Sequence, residues 1–253
     1  MAALSAQMPG LPLLILTFAL VGACATVQGA TGFGFNILVV PLLVLYIDPK
    51  VVVPAIIIQN VLLDCLVLAT AWRFADLRRI WVLVLAGVVG TPVGVVLLGF
   101  VDPNPLRIVI GLAVVFTGAA MLLGFKRTLE NERLASAVAG SLGGAMNGLV
   151  GMAGPPVILL MANQGMEPRE FRANIVTYFT VITFIAVASL EARGEFTHDV
   201  LNLALAIIPA TTLGVIAGIR IHGNVPIELF LRASLVLVVI AGASAFIVGM
   251  LTL

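Results

Sequence analysis

Polar residues in this sequence are gathered into short clusters, separated by apolar runs at about 11–27, 33–47, 51–72, 80–101, 105–125, 134–149, 153–163, 169–191, 199–220 and 226–251. The runs are too continuous for the alternating strands of a barrel. Lipid leaves no water to satisfy an irregular backbone, so the runs predict membrane helices. Four of them are too short to cross a hydrocarbon core of about 30 Å at 1.5 Å per residue. These four form two pairs, each meeting at a glycine-rich break. The first break is Gln28-Gly29-Ala30-Thr31-Gly32-Phe33-Gly34-Phe35-Asn36 and the second is Asn147-Gly148-Leu149-Val150-Gly151-Met152-Ala153-Gly154-Pro155-Pro156. Each pair is expected to be a re-entrant hairpin or two short, steeply packed helices. Either arrangement sets the break at membrane depth, where irregular backbone is tolerated only inside protein or lining a cavity.

The two breaks belong to a larger self-similarity. At an offset of 119 residues Gln28 meets Asn147, Gly29 meets Gly148, Gly32 meets Gly151, and Asp48-Pro49 meets Glu167-Pro168. With one inserted residue, Thr91, Gly94 and Val95 meet Thr211, Gly214 and Val215. This predicts two homologous halves, 1–128 and 134–253, forming one integrated membrane domain. Basic residues orient them. Arg73, Arg78 and Arg79 flank one loop and Lys126, Arg127 and Arg133 another, so both loops are expected on the cytoplasmic side. Arg169, Arg172 and Arg220 fall on the same side, and Lys50, Arg107 and Arg193 are exceptions. An odd number of crossings in each half makes the halves inverted, with both termini expected in the periplasm. The first run has no basic leader and is read as a retained helix.

Composition agrees with a membrane chain: 61% of the 253 residues are hydrophobic, 10% are charged, and the mean hydropathy is +1.20. The net charge of +1 suggests no nucleic-acid partner. Cys24 and Cys65 both lie in apolar runs and are expected to be small buried hydrophobes. His198 and His222 fall at helix ends with no partner at metal spacing, so no metal or cofactor is expected. Ser141 has no histidine at membrane depth to act as its base, so no enzyme is expected.

Gly29 to Pro41 and Gly140 to Pro156, each a glycine-rich segment ahead of an apolar helix in a duplicated membrane chain, resemble the sulfite exporter TauE/SafE family. The resemblance covers nearly the whole chain. It implies a bacterial inner-membrane permease of about eight to ten spans that moves sulfite, an organosulfonate such as sulfoacetate, or another sulfur-containing anion, commonly outward. The sequence departs from the family's usual glycine triplet, having Phe35-Asn36 after Gly32-Phe33-Gly34, and Ala153-Gly154-Pro155 in the second break.

Inverted halves with broken helices meeting near the midplane are the pattern of secondary transporters. Free N–H groups at a helix start carry partial positive charge, and glycine lets an oxyanion approach them closely. The candidate substrate residues are therefore Gln28, Gly29, Thr31, Gly32, Gly34, Asn36, Asn147, Gly148, Gly151 and Gly154. Close helix packing is the simpler explanation for Gly144 and Gly148. Asp64, in the middle of an apolar run, is a candidate proton-coupling group or a carboxyl that bonds a neighbouring helix; Gln59 and Asn60 fit either role. Arg172 is either a cytoplasmic anchor or a gate that attracts an anion, through its planar fork. Tyr178, Thr177 and Thr180 are expected to knit helices together. The resulting picture is an all-α polytopic transporter that exports a sulfur anion by alternating access. An importer of sulfur oxyanions or small carboxylates, and a non-transporting scaffold, remain as alternatives, and the oligomeric state is open.

Overall fold

The computed structural model of the protein describes residues 11–123 and 131–221. The apolar run 226–251, Lys126, Arg127 and His222 lie outside the described residues. Those described form nine α-helices and no strand: α1 (Leu11–Thr31), α2 (Phe35–Leu43), α3 (Pro49–Ala71) extended by a 3-10 turn (Trp72–Phe74), α4 (Leu77–Phe100), α5 (Pro103–Leu123), α6 (Glu132–Val150), α7 (Gly154–Asn163), α8 (Pro168–Ala192) and α9 (His198–Ile221). By length and composition α3, α4, α8 and α9 can each cross a membrane. The protein is an all-α polytopic membrane protein.

Local chemistry sets the boundaries. Asp48 caps α3 by accepting from the Lys50 N–H at 2.8 Å, with Pro49 in the first turn, and Asp76 and Asn131 cap α4 and α6 in the same manner. Glu167-Pro168 opens α8 as Asp48-Pro49 opens α3, although the Glu167 side chain makes no capping bond. Asp48 and Glu167 are the residues that the offset of the two halves superposes.

The breaks are shorter than the sequence pattern suggests. Gln28, Gly29 and Thr31 form the last turn of α1, and Asn147 and Gly148 the last turn of α6, leaving only residues 32–34 and 151–153 non-helical. At 21 and 19 residues, α1 and α6 are roughly 30 Å long. Only α2, with 9 residues, and α7, with 10, are short. An interior glycine does not stop a membrane helix; a left-handed one does. The chain leaves the helix at Gly32 (φ 90°) and Gly151 (φ 71°), and Gly34 (φ 105°) turns it into α2.

Contacts at the two ends of the bundle show how the broken pairs run. At one end the Arg79 guanidinium bridges Glu170 at the start of α8 and the Gln164 carbonyl after α7, each at 3.0 Å, and the Asp76 N–H donates to Asn174 Oδ1 at 2.7 Å. At the other end the Arg107 Nε donates to the Val44 carbonyl at the end of α2 (3.0 Å), and Tyr46 shares a hydrogen bond with Thr17 of α1 (3.0 Å). The α1–α2 pair thus enters from and returns to the Lys50 end. The α6–α7 pair does the same from the Arg79 end. Both are hairpins that begin and end at one end of the bundle, and they come from opposite ends.

Two seams hold the hairpins. Gly140, Gly144 and Gly148 of α6 lie against the carbonyls of Leu83, Gly87 and Thr91 of α4, while Gly90 and Gly94 of α4 lie against those of Ser141 and Ala145. The register rises together, so α4 and α6 are parallel. On the other side of the bundle α1 runs parallel to α9, with Gly214 against the Gly22 carbonyl and Gly218 against that of Thr26. Gly29, in turn, lies against the Val215 carbonyl. Cys24 is buried, as expected. Cys65 corrects the expectation: it is exposed, because one position on from Asp64 the helix has turned away from the core, and an apolar thiol is tolerated facing lipid.

Backbone contact of this kind leaves no room for a side chain. Gly144→Leu should destabilise the protein by about 1–3 kcal/mol or more through overpacking. Gly194→Asn, at a left-handed position with nothing within 4 Å of a built Cβ, should leave stability nearly unchanged. Thermal melts of the purified variants in detergent test the contrast, and equal melting points would remove the seam from the account.

Candidate functional site

Each break satisfies its own backbone before it offers anything to a ligand. In the first, Thr31 Oγ1 accepts from the Phe33 N–H (3.2 Å) and is shared between the Val27 carbonyl (2.9 Å) and the Phe33 carbonyl (2.7 Å), and the Gly32 N–H returns to the Gln28 carbonyl (2.7 Å). In the second, the Gly151 N–H bonds the Asn147 carbonyl (2.9 Å) and the Met152 N–H that of Met146 (3.3 Å). The two breaks are then tied to each other, since Asn36 Nδ2 donates to the Gly151 carbonyl.

A cavity lies where they meet. Its polar wall is made of Gln28 from α1, Asn36 from α2, Asn60 and Asp64 from α3, Asn147 from α6 and Thr183 from α8. Its apolar wall is made of Phe33, Ile37, Met152, Ile158 and Phe179, with Gly34, Ala153 and Gly154 at the breaks. Among the described residues no lysine, arginine or histidine lines it. Asn36 Oδ1, Asn60 Oδ1 and Asn147 Nδ2 are buried and have no partner among the described residues, so the wall keeps hydrogen-bonding capacity in reserve.

Asp64 is held from two sides. Gln28 Nε2 donates to Oδ1 at 2.8 Å and Thr183 Oγ1 to Oδ2 at 3.1 Å, and all three side chains are buried. Thr183 follows Asp64 by 119 residues, the offset that superposes the two breaks. Here α3 crosses α8, and Asp64 sits at the crossing.

Of the residues named from sequence, the cavity brings together Gln28, Gly34, Asn36, Asn147, Gly154 and Asp64. Gly29 and Gly148 lie instead in the helix seams, and Thr31, Gly32 and Gly151 shape the breaks from behind. Arg172 is also outside the lining. Its stem lies over Gly32, where a built Cβ would be 2.8 Å from Arg172 Cγ, so a side chain at Gly32 would displace it. Its Nη2 donates to the Gly29 carbonyl (2.9 Å) and its Nη1 to Thr70 Oγ1 (3.3 Å). The side chain is 6% exposed, its Nε has no partner, and no carboxylate pairs with it among the described residues. Tyr178 donates to the Gly140 carbonyl at 2.9 Å, and Thr177 and Thr180 bond within α8, so all three serve packing. Gln59 ties α3 to the Ala204 carbonyl of α9, while Asn60, next to it, faces the cavity.

Sequence reasoning did not single out Thr183. The repeat offset, applied to Asp64, reaches it directly. The second break also presents fewer donors than its glycines suggest, because Pro155 and Pro156 have no N–H. The free N–H groups available to an oxyanion are therefore mainly those at the start of α2, with Asn147 as the contribution of the second break.

Asn36→Ala would leave the buried Gly151 carbonyl unpaired, at a cost of about 1–3 kcal/mol. A lowered melting temperature of the purified variant is the expected outcome; an unchanged one would mean that other contacts hold the breaks together.

Comparison with known proteins agrees with this architecture. The sulfite exporter TauE/SafE family matches residues 15–245. Among curated proteins the chain is similar to the probable sulfite/organosulfonate exporter TauE of Cupriavidus necator, at 26% identity over 218 residues, covering 83% of this chain and 84% of the relative. It is also similar to the probable inner membrane transporter protein TsaS of Comamonas testosteroni, at 28% identity over 164 residues, covering 62% of this chain and 66% of the relative. No solved structure matches. A family match that spans both hairpins and the cavity between them places this chain in the sulfite exporter TauE/SafE family.

Proposed function

We propose that this membrane transporter carries a small sulfur-containing anion, sulfite or an organosulfonate such as sulfoacetate, and that the cavity between the two breaks is its substrate site. The observation that carries this reading is the cavity wall: buried amide groups with unpaired atoms from both hairpins, joined by the helix start at Gly34–Asn36, with no cationic side chain among the described residues. Neutral donors recognise an oxyanion through hydrogen bonds and the helix dipole, and they release it readily, which a carrier requires. The relative from Cupriavidus necator, named as an exporter, supports outward movement.

On this reading the halves 1–128 and 134–253 are inverted repeats, and access alternates as one rocks against the other. The opposite entry of the two hairpins and the contact between Asp64 and Thr183 both support it. The Arg79 end is cytoplasmic: Arg73, Arg78, Arg79, Arg133, Arg169, Arg172 and Arg220 lie there, against Lys50, Arg107 and Arg193 at the other end. The protein sits in a bacterial inner membrane with its termini in the periplasm. A membrane negative inside pushes an anion outward by about 2.3 kcal/mol per charge per 100 mV. Arg172, covering the first break at the cytoplasmic end, is the gate that meets the anion before it reaches the cavity.

Thermal stability of the detergent-purified protein tests the site against sulfite, sulfate, thiosulfate, taurine, sulfoacetate, isethionate and acetate. A bound substrate stabilises by about 2.7 kcal/mol at a hundredfold excess over its Kd. One or two sulfur anions should raise the melting temperature, and Asn147→Leu should abolish the rise while remaining folded. No rise with any anion, in folded protein, would overturn the reading. Arg172→Met should slow uptake into inside-out vesicles about tenfold or more yet keep the thermal shift, because the gate lies outside the cavity.

A further inference from the structure

We infer that the cavity binds one proton on Asp64 together with each anion, so that the protein couples anion movement to proton movement in the same direction. The inference rests on the cavity being the anion site. A carboxylate forms part of its wall, and among the described residues no cationic side chain shares that wall to neutralise it. An ionised Asp64 and a bound anion about 5 Å apart, at an effective dielectric constant of about 20, would weaken each other's presence by roughly two orders of magnitude. Protonation removes that repulsion. The sign excludes an exchange in which the proton displaces the anion, since a proton on Asp64 makes the cavity more welcoming to negative charge.

The hydrogen bonds name the oxygen. Oδ1 faces the amide nitrogen of Gln28, which only donates. Oδ2 faces the Thr183 hydroxyl, which donates to a carboxylate and can rotate to accept from a carboxylic acid. The proton therefore resides on Oδ2, bonded to Thr183 or turned toward the anion, and it leaves from the same atom when the anion leaves. Thr183 is a positioning residue that serves both states. The other groups around Asp64 do not titrate in its place. The facing residues of α1, α2 and α6 are the neutral Gln28, Asn36 and Asn147, and Tyr178 of α8 gives its hydroxyl to Gly140. Cys24 lies one turn before Gln28 on α1, and Cys65 points out of the bundle. Arg172 of α8 reaches α3 at Thr70, six residues or about 9 Å along the axis from Asp64. No charged residue of α9 lies between Asp199 near its start and Arg220 in its last turn.

Charge bookkeeping follows. A monovalent anion moving with one proton carries no net charge and gains nothing from the membrane potential. A divalent sulfur oxyanion moving with one proton still carries one negative charge and is still driven outward. Net export powered by the potential thus selects a divalent substrate.

The test measures proton uptake and affinity together, with full-length protein in weakly buffered detergent solution, a pH dye, and isethionate or sulfoacetate as the probe, whose sulfonates do not titrate between pH 6 and 9. In the wild type, anion binding should take up one proton per site at the alkaline end, and the apparent Kd should rise about tenfold per pH unit there. Asp64→Asn, neutral and still able to hydrogen-bond, should bind with no proton uptake and a flat pH profile. Thr183→Val should shift the pH profile, and Thr183→Ser should restore it. Binding by the wild type without proton uptake, or a pH slope that persists in Asp64→Asn, would overturn the coupling and leave the anion site standing. Failure of both probes to bind folded wild-type protein at any pH would overturn the anion site and the coupling with it.

Discussion

The constraint on which the structure depends is the shortage of water at membrane depth. A helix broken inside lipid exposes backbone groups that nothing there can satisfy, and each unsatisfied group costs several kcal/mol. Here the protein answers that demand locally, with Thr31 folded back on its own break and Met152 on the end of α6. It then answers it across the molecule, with Asn36 reaching the Gly151 carbonyl of the other hairpin. The last bond has a consequence for movement. On the proposed mechanism, parting the hairpins breaks this bond, and water or a ligand entering the cavity can take over at Gly151.

The seams decide which parts move together. Each hairpin's long helix is fastened, backbone to backbone, to a late helix of the opposite half: α1 to α9 and α6 to α4. Contact this close is stiff, because a stripe of glycine has no side chains to rearrange. On the proposed mechanism the moving bodies are these two fastened pairs, and α3 and α8 cross between them. Asp64 and Thr183 lie on that crossing. A proton arriving there changes the bonding at the place where the two bodies meet, and it does so without touching either seam.

Much of this was legible in the sequence, and the misses have physical causes. The long apolar runs map onto the helices because lipid demands both apolar length and an unbroken backbone ladder, and the left-handed glycines Gly32, Gly34 and Gly151 were found in the breaks. Gly29 was read as a site residue, and Gly148 as either a site or a packing residue, because a glycine that lets backbone approach an anion looks the same, in sequence, as one that lets backbone approach another helix. Only the partner distinguishes them, and the partners, Val215 and Thr91, are far away along the chain. The hairpin form of the pairs was equally hidden, being set by which end of the bundle Val44 and Gln164 dock on. Thr183 escaped notice as an ordinary hydroxyl in a helix already rich in threonine, where side chains commonly bond their own preceding turn.

On the proposed mechanism the placement of Asp64 and Arg172 has one explanation. A guanidinium inside the cavity would attract an anion at about 4 Å by roughly 4 kcal/mol at an effective dielectric constant of about 20, about a thousandfold longer residence. That is a trap for a carrier. Arg172 is instead kept behind Gly32, held by a carbonyl and a hydroxyl, with no carboxylate paired to it among the described residues, so on this reading its charge acts at the entrance without contacting the site. The group placed inside is the one whose charge can be removed. On the proposed coupling, Asp64 with its proton adds a hydrogen-bond donor to a neutral cradle and Asp64 without it repels the cargo, so one side chain would both admit the anion and expel it.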